Sequence, residues 1–262
     1  GSEIRRKFID SVISQFDKLY LDDLIQYNKA LLQRNNLLKD FAEKNYFRPD
    51  LIEIWDDKLI RNGEKIHSRR KEFLDDFIPL FQHYFEFITK AKEKVSITYS
   101  SQLNDNTFDR LLMECTEKDR HARHTTCGIH KDDLEMNING HPVKKFGSQG
   151  QQKSYVIAIK LAQFDFTKNK KNLKPVLLLD DIFDKLDEER VKQIIRLVSK
   201  NSFGQVFITD TQKERIENVF EQIALKIREL QPQFDTIVVS SQYFWKDYVL
   251  SLLSFKVQFI ES

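Results

Sequence analysis

Apolar residues along the first ninety positions recur every three or four places. Ile4, Phe8, Val12, Phe16 and Leu19 share one helical face. Leu24, Ile25, Leu31, Leu32, Leu38 and Phe41 continue the rhythm in a second run. Pro49 breaks it, because a proline ring blocks the helical hydrogen bond. A third run, from about residue 69 to 94, carries Phe73, Phe77, Leu80, Phe81, Tyr84 and Ile88, and Pro79 marks a kink or a junction in it. Charged outer faces on these helices suit an extended antiparallel arm over residues 1–95.

The period then changes. Residues 95–99 (VSITY) read as a strand, and Leu134, Met136 and Ile138 alternate with polar neighbours ahead of Asn139-Gly140. Asn-Gly between strand-like runs predicts a hairpin turn, because both turn positions need positive φ. Helical periodicity returns from Gln149 through Val156, Ile159 and Phe164, and a basic loop follows at 168–174. Residues 175–179 (PVLLL) form a short unbroken apolar run, the pattern of a strand buried on both faces of a parallel sheet. Asp187 is placed to cap the next helix, with Glu188 and Glu189 in its first turn. The stretch 202–204 ends that helix, 205–209 predicts another buried strand and 212–230 another helix. Strand, helix, strand, helix predicts an α/β fold.

The chain of 262 residues is long enough for one large domain or two small ones, and 21 phenylalanines point to an aromatic core. With 42 basic and 40 acidic residues, only a local basic patch could meet nucleic acid. Two cysteines, Cys115 and Cys127, make a disulfide framework a poor explanation and a reducing cytosol the natural setting. No stretch reaches the roughly 18 apolar residues that span a bilayer, and no signal peptide opens the sequence.

Two acids, Asp180 and Asp181, end the apolar run. Open α/β sheets place ligands at strand ends, where one carboxylate can hold Mg²⁺ and a second can orient an attacking water. Taken alone, the pair is also explained as acids that solubilise a strand end. About 30 residues earlier, Phe146-Gly147-Ser148-Gln149-Gly150-Gln151-Gln152-Lys153 opens a helix. Small residues let backbone amides approach a ligand, and helix N-termini favour phosphate. Taken alone, that segment is as well explained by an ordinary helix start capped by Ser148. The order carries more weight: a small-polar loop, a helix, a basic loop, then an apolar strand with Asp-Asp and a following Leu-Asp.

These segments resemble the RecF family of DNA-repair ATPases, relatives of the chromosome-maintenance (SMC) and ABC ATPases. SQGQQKS at 148–154 is similar to the signature, LLLDDIFDKLD at 177–187 to the Walker B strand with its D-loop, and QVFITDT at 205–211 to the switch region. SEIRRKFID at 2–10, YNKALLQRNNLLK at 27–39 and GIHKDDL at 128–134 resemble the same family, so the likeness runs from about residue 1 to 222. It implies the C-terminal half of an ABC/SMC-type ATPase head (96–230) with an inserted helical arm (1–95). By the resemblance, Asp180 coordinates Mg²⁺ and Asp181 takes the general-base position. Ser148, Gln149, Gly150 and Gln151 meet the γ-phosphate of ATP bound on the opposite protomer. Asp184, Leu186 and Asp187 form the D-loop, and Thr209, Asp210 and Thr211 form the switch. The implied partners are DNA, single-stranded or gapped, a second copy of the chain joined by ATP, and recombination mediators. The implied setting is the nucleoid, in SOS-linked replication and repair.

The sequence departs from the family in four places. No G-x-x-x-x-G-K-[ST] loop occurs, and Gly63-Glu64-Lys65 does not fit it. In the family that loop precedes the region present here, so the chain reads as a fragment expected to be inactive alone, although the complete family member is a weak DNA-dependent ATPase. Ile129 stands where the family has proline, and the switch lacks the histidine of some relatives. Residues 231–262 match nothing expected and receive no role. Gly1-Ser2 fits the family's own sequence there. Other ATPase halves of the SMC/ABC class, or a non-catalytic DNA- or partner-binding module, remain alternatives.

Two further patterns compete for a role. His121, His124, Cys127 and His130 lie three apart and could offer zinc ligands, but zinc sites pair ligands across a turn, and the RecF-like motif already accounts for His130. Lysines at 144–174, above all Lys168, Lys170 and Lys171, are candidates for DNA phosphates, with Arg69-Arg70-Lys71 a weaker one. A solvated helix face explains either cluster equally well.

Overall fold

The computed structural model describes residues 1–179, 185–198, 203, 205–209 and 237–240, the backbone alone at 208–209 and 237–240. Its elements are α1 (Ser2–Ser14), α2 (Lys18–Lys44), α3 (Pro49–Thr89), β1 (Val95–Ser100), α4 (Phe108–Ala122), β2 (Asp133–Ile138), β3 (His141–Pro142), α5 (Val143–Phe146), α6 (Gln149–Lys171), β4 (Leu177–Leu179), α7 (Glu188–Val198), β5 (Val206–Thr209) and β6 (Ile237–Ser240).

Local chemistry explains the boundaries. Asp17 caps α2 by accepting from the Tyr20 amide at 3.0 Å, and Asn45 ends that helix in the left-handed conformation. Pro49 sits at the first position of α3, where its missing N–H costs nothing. The helix then runs 41 residues and continues past Pro79. Asn139 and Gly140 take φ of 49° and 81°, so the expected hairpin forms between β2 and β3, with Ile138 opposite His141.

The chain divides into two compact units, residues 1–78 with 96–136 and residues 79–95 with 137–262, and neither is a continuous stretch of sequence. One boundary falls at Pro79. In the first unit, Ile9, Val12 and Ile13 of α1, Tyr20 and Tyr27 of α2 and Ile66, Phe73 and Phe77 of α3 are buried. Phe77 stacks on Phe73 at 5.0 Å and meets Phe8 edge-on at 5.9 Å. Ile4 and Leu19, expected on the buried face, are instead about 70% exposed. They lie at the ends of their helices, where the stripe outruns the surface that covers it.

This unit also buries charge. Arg70, 2% exposed, donates to Asp10, Asp132, the Tyr20 hydroxyl and the Ile129 carbonyl. Arg34, fully buried, pairs with Asp119 at 2.6 Å and Asp56 at 2.5 Å. Charges this deep persist only when paired.

The second unit holds a parallel sheet in the order β4-β5-β6, with Leu177 opposite Val206 and Val206 opposite Ile237. α7 crosses between β4 and β5, the connection a parallel pair requires. β6 lies in the tail for which the sequence suggested no element, although Ile237, Val238 and Val239 are β-branched. Leu177 and Leu179 are buried but Leu178 is 70% exposed. The expectation of burial on both faces therefore fails for β4 among the described residues. Alternate side chains point to opposite faces, and one of them is uncovered. In the same unit, Tyr155 of α6 packs on Phe81 at 4.6 Å and on Phe85 at 5.8 Å.

Candidate functional site

The site assembles where α6 starts and where the chain turns into α7. Ser148 caps α6: its Oγ accepts from the Gln151 amide at 3.2 Å, and Gln151 Oε1 accepts from the Ser148 amide at 2.8 Å. This capping box is what the spacing Ser-x-x-Gln prescribes. The serine hydroxyl stays exposed at the positive end of a 23-residue helix. Gln149 is exposed beside it. The Gln151 side chain is committed within the chain at both ends, since its Nε2 donates to Glu93 Oε1 at 2.8 Å.

Gly150 faces the turn before α7. A Cβ built there would lie 2.9 Å from the Lys185 carbonyl oxygen, so only glycine permits this approach of two backbones. Lys185 has φ of 62°, Leu186 is buried, and Asp187 caps α7 by accepting from the Arg190 amide at 2.8 Å. The signature-like start of α6 and the D-loop-like turn, separated by more than 30 residues of sequence, are thus in contact.

Arg190 and Glu93, absent from every sequence-derived candidate set, tie the two together. Arg190 Nη1 donates to Ser154 Oγ at 2.9 Å, Nη2 to Glu93 Oε1 at 2.9 Å and Nε to Asp187 Oδ2 at 3.1 Å. The Ser154 hydroxyl in turn donates to the Gly150 carbonyl at 2.8 Å. Beside this cluster Lys90 meets Glu189 at 2.5 Å; the hydrogen bond from Lys90, reinforced by Gln193, holds the Glu189 carboxyl down at about 2. The sequence signal for these residues was faint, an acid and a base without motif.

The remaining expected site residues fall unevenly. Asp180, Asp181, Asp184, Asp210 and Thr211 lie outside the described residues, as does the Thr209 side chain. β4 and β5 are parallel, with Leu179 opposite Ile208, so the segments leading to Asp180 and Asp210 leave the sheet at the same end. Lys168, Lys170 and Lys171 occupy the last turn of α6, where positive charge also complements the helix dipole. Lys168 lies 3.9 Å from Asp165, and Lys170 sits 5.3 Å over the Phe166 ring.

Of the weaker basic candidate, Arg70 is removed from consideration: it is buried and paired, and cannot reach a phosphate. Three members of the histidine and cysteine array are likewise engaged internally. His130 Nδ1 meets the Tyr27 hydroxyl at 2.9 Å and Nε2 the Thr125 carbonyl at 3.1 Å, and burial pushes the imidazole down to about 4. The Cys127 thiol donates to the Leu111 carbonyl, and His124 Nδ1 to that of Ala122. Among the described residues no helix is long and apolar enough to cross a membrane.

No family model matches the chain. It is 52% identical over 219 residues to the DNA replication and repair protein RecF of Flavobacterium johnsoniae, covering 84% of this chain and 61% of that protein. It is 46% identical over 224 residues to the protein of the same name from Bacteroides thetaiotaomicron, covering 85% and 60%. The chain therefore spans about three-fifths of the length of these curated relatives. Among solved structures it is similar to the recombination mediator protein RecF with ATP in the RecFOR pathway, at 31% identity and a TM-score of 0.70, over 82% of this chain and 59% of that one. A second structure of that mediator, RecF-ATPrS, matches at 30% identity with the same TM-score. The expected α/β class is the one found, and the chain shares the fold of these RecF structures.

Proposed function

Because the chain belongs to the RecF family, we propose that it supplies the partner-facing half of a DNA-repair ATPase in which ATP and Mg²⁺ join two heads around DNA. The single observation that carries this reading is the contact between the start of α6 and the turn before α7, with the Ser148 hydroxyl exposed at a helix N-terminus. A helix N-terminus with a free hydroxyl suits a phosphate that approaches from outside the chain. The relatives' solved structures contain ATP or an analogue, which supports the same chemistry here.

In this reading Ser148, Gln149 and Gly150 face the γ-phosphate held by the opposite head. Gln151 braces the loop, since both ends of its amide are already used. Asp180 holds Mg²⁺, Asp181 accepts the proton of the attacking water, and Thr209, Asp210 and Thr211 sense the nucleotide. The phosphate-cradling loop that this reading requires is not among these residues. Residues 1–95 act as the arm, 96–230 as the head portion, and Lys168, Lys170 and Lys171 contact DNA backbone. Closing of the two heads holds the protein on gapped DNA in the nucleoid, where it supports recombinase loading with mediator proteins.

Two variants of the full-length protein test this by light scattering with ATP and Mg²⁺. Asp181→Asn keeps the side chain's shape but cannot accept a proton. Its ATP-bound dimer should form and persist while hydrolysis falls roughly 10²–10⁴-fold. Ser148→Arg places a bulky cation where the partner's phosphate docks, so one head should bind nucleotide without dimerising. The opposite pattern, a monomeric Asp181→Asn and a dimeric Ser148→Arg, would reverse the assigned roles.

A further inference from the structure

α3 ends at Thr89, and the next two residues, Lys90 and Ala91, both take left-handed backbone angles, φ of 54° and 56°. Neither is glycine, and such conformations persist only where surrounding bonds hold them. Those bonds are present. Lys90 pairs with Glu189, the Lys94 amide donates to Asn139 Oδ1 at 2.9 Å, and Glu93 accepts from both Gln151 and Arg190.

The carboxylate of Glu93 is the point where these contacts converge. Its Oε1 takes one hydrogen bond from the start of α6 and another from the start of α7, both at 2.8–2.9 Å. Its side chain is 13% exposed, that of Arg190 15%, so solvent screens the pair little. The guanidinium spreads its fork over three segments: Glu93, Asp187, and on α6 both Ser154 and, at 3.4 Å, the Gly150 carbonyl. Arginine suits this role because its planar donors are fixed relative to one another, whereas a lysine ammonium could not hold the same three directions. The Gly150–Lys185 backbone contact closes the cluster from the other side.

We propose that Arg190 and Glu93 are a positioning pair that locks the start of α6 and the turn before α7 into one rigid ledge, so that both enter an ATP-bridged interface in fixed register. The proposal rests on the ATP-dependent dimer reading above. Neither residue touches nucleotide in it; each acts through Ser148, Gly150 and Asp187. An interface assembled from two separately mobile segments would lose ordering entropy on each, and a pre-joined ledge avoids that loss.

The test uses the full-length protein and three readouts on wild type, Glu93→Gln and Arg190→Ala. Glu93→Gln keeps an acceptor for Gln151 but removes the charge opposite Arg190. The first readout is hydrogen exchange without nucleotide, at residues 149–154 and 185–190. Both segments should exchange faster together in each variant. The second is binding of a fluorescent ATP analogue to single heads at low protein concentration, which should stay within about twofold of wild type. The third is the ATP-dependent dimerisation constant, which should weaken about tenfold or more, with Arg190→Lys recovering only part of it.

Loosening confined to 185–190 overturns the ledge, whatever the nucleotide does. Equal loss of single-head binding and dimerisation also overturns it, because that marks a general structural defect. Coupled loosening in both variants, beside a wild-type protein that fails to dimerise with ATP, leaves the ledge in place and overturns the function reading and the interface role with it.

Discussion

Replacing Arg70 by methionine should remove a large share of the chain's stability. The guanidinium is 2% exposed and bonds two carboxylates, a hydroxyl and a backbone carbonyl. Methionine fills similar volume with no donors, leaving Asp132, 1% exposed at its side chain, with the hydroxyls of Tyr99 and Ser101 but no cation bonded to it. Breaking a buried ion pair by deleting one partner costs about 3–5 kcal/mol, a third or more of the roughly 5–15 kcal/mol typical of a folded domain. Burial already holds the Asp132 carboxyl above the usual range, and Tyr99, Ser101 and Arg70 pull it back. Without Arg70 it rises further. A carboxyl whose folded pKa lies above its unfolded one favours the native state most at low pH and loses that benefit as pH rises through the folded value. The gap between variant and wild type should therefore narrow on acidification from pH 7 to 5. Adding Asp132→Asn to Arg70→Met should recover about 1–3 kcal/mol at pH 7, because the orphaned charge is gone. Urea unfolding followed by circular dichroism measures all three proteins. A loss below about 1 kcal/mol, or no recovery in the double variant, refutes the reasoning.

His130 sets a second pH dependence. Its imidazole titrates near 4 in the fold, against about 6.5 unfolded, so the unfolded chain binds more protons in that window and stability falls as pH drops through it, by on the order of 3 kcal/mol. His130→Asn, which can keep one hydrogen bond, should flatten that slope in urea titrations at pH 7 and 4.5; an unchanged slope would place the proton uptake elsewhere. Gly150→Ala should not raise the melting temperature, although alanine favours helix by about 1 kcal/mol, because the added methyl meets the Lys185 carbonyl; a rise of several degrees would show that the two segments part easily. Replacing Lys168, Lys170 and Lys171 together by alanine should reduce the slope of log affinity against log salt for DNA by up to about 3, at roughly 0.7–0.9 per lost contact; an unaltered slope in fluorescence anisotropy would move the DNA contact to another surface.

Short-range chemistry was legible without coordinates. The Asn139-Gly140 turn needs only its own two residues, and the caps at Ser148 and Asp187 reach three residues along the chain. Pro49 ended the second run as expected, but it also opens α3 some 20 residues before the helix that the pattern placed from about residue 69. Where it gave a signal in the described residues, periodicity told helix from strand, because it reflects the geometry of each element by itself; it gave none for α4, and the helix expected at 212–230 lies outside the described residues. It could not say what covers each face. Ile4, Leu19 and Leu178 satisfy their patterns and are exposed, and Ile237–Ser240 joined a sheet from a tail that carried no motif. The order of the signature, Walker B and switch segments was readable as a family resemblance, and the contact between Gly150 and Lys185 was not. Least visible were the buried charges. Arg70 reads as one member of a basic surface triplet until α1 and the 129–132 turn close over it, from about 60 residues away on either side. Glu93 and Arg190 meet across 97 positions. A charged side chain's role depends on which partner folding brings within hydrogen-bond reach and how much water it removes, and both are properties of the assembled tertiary structure.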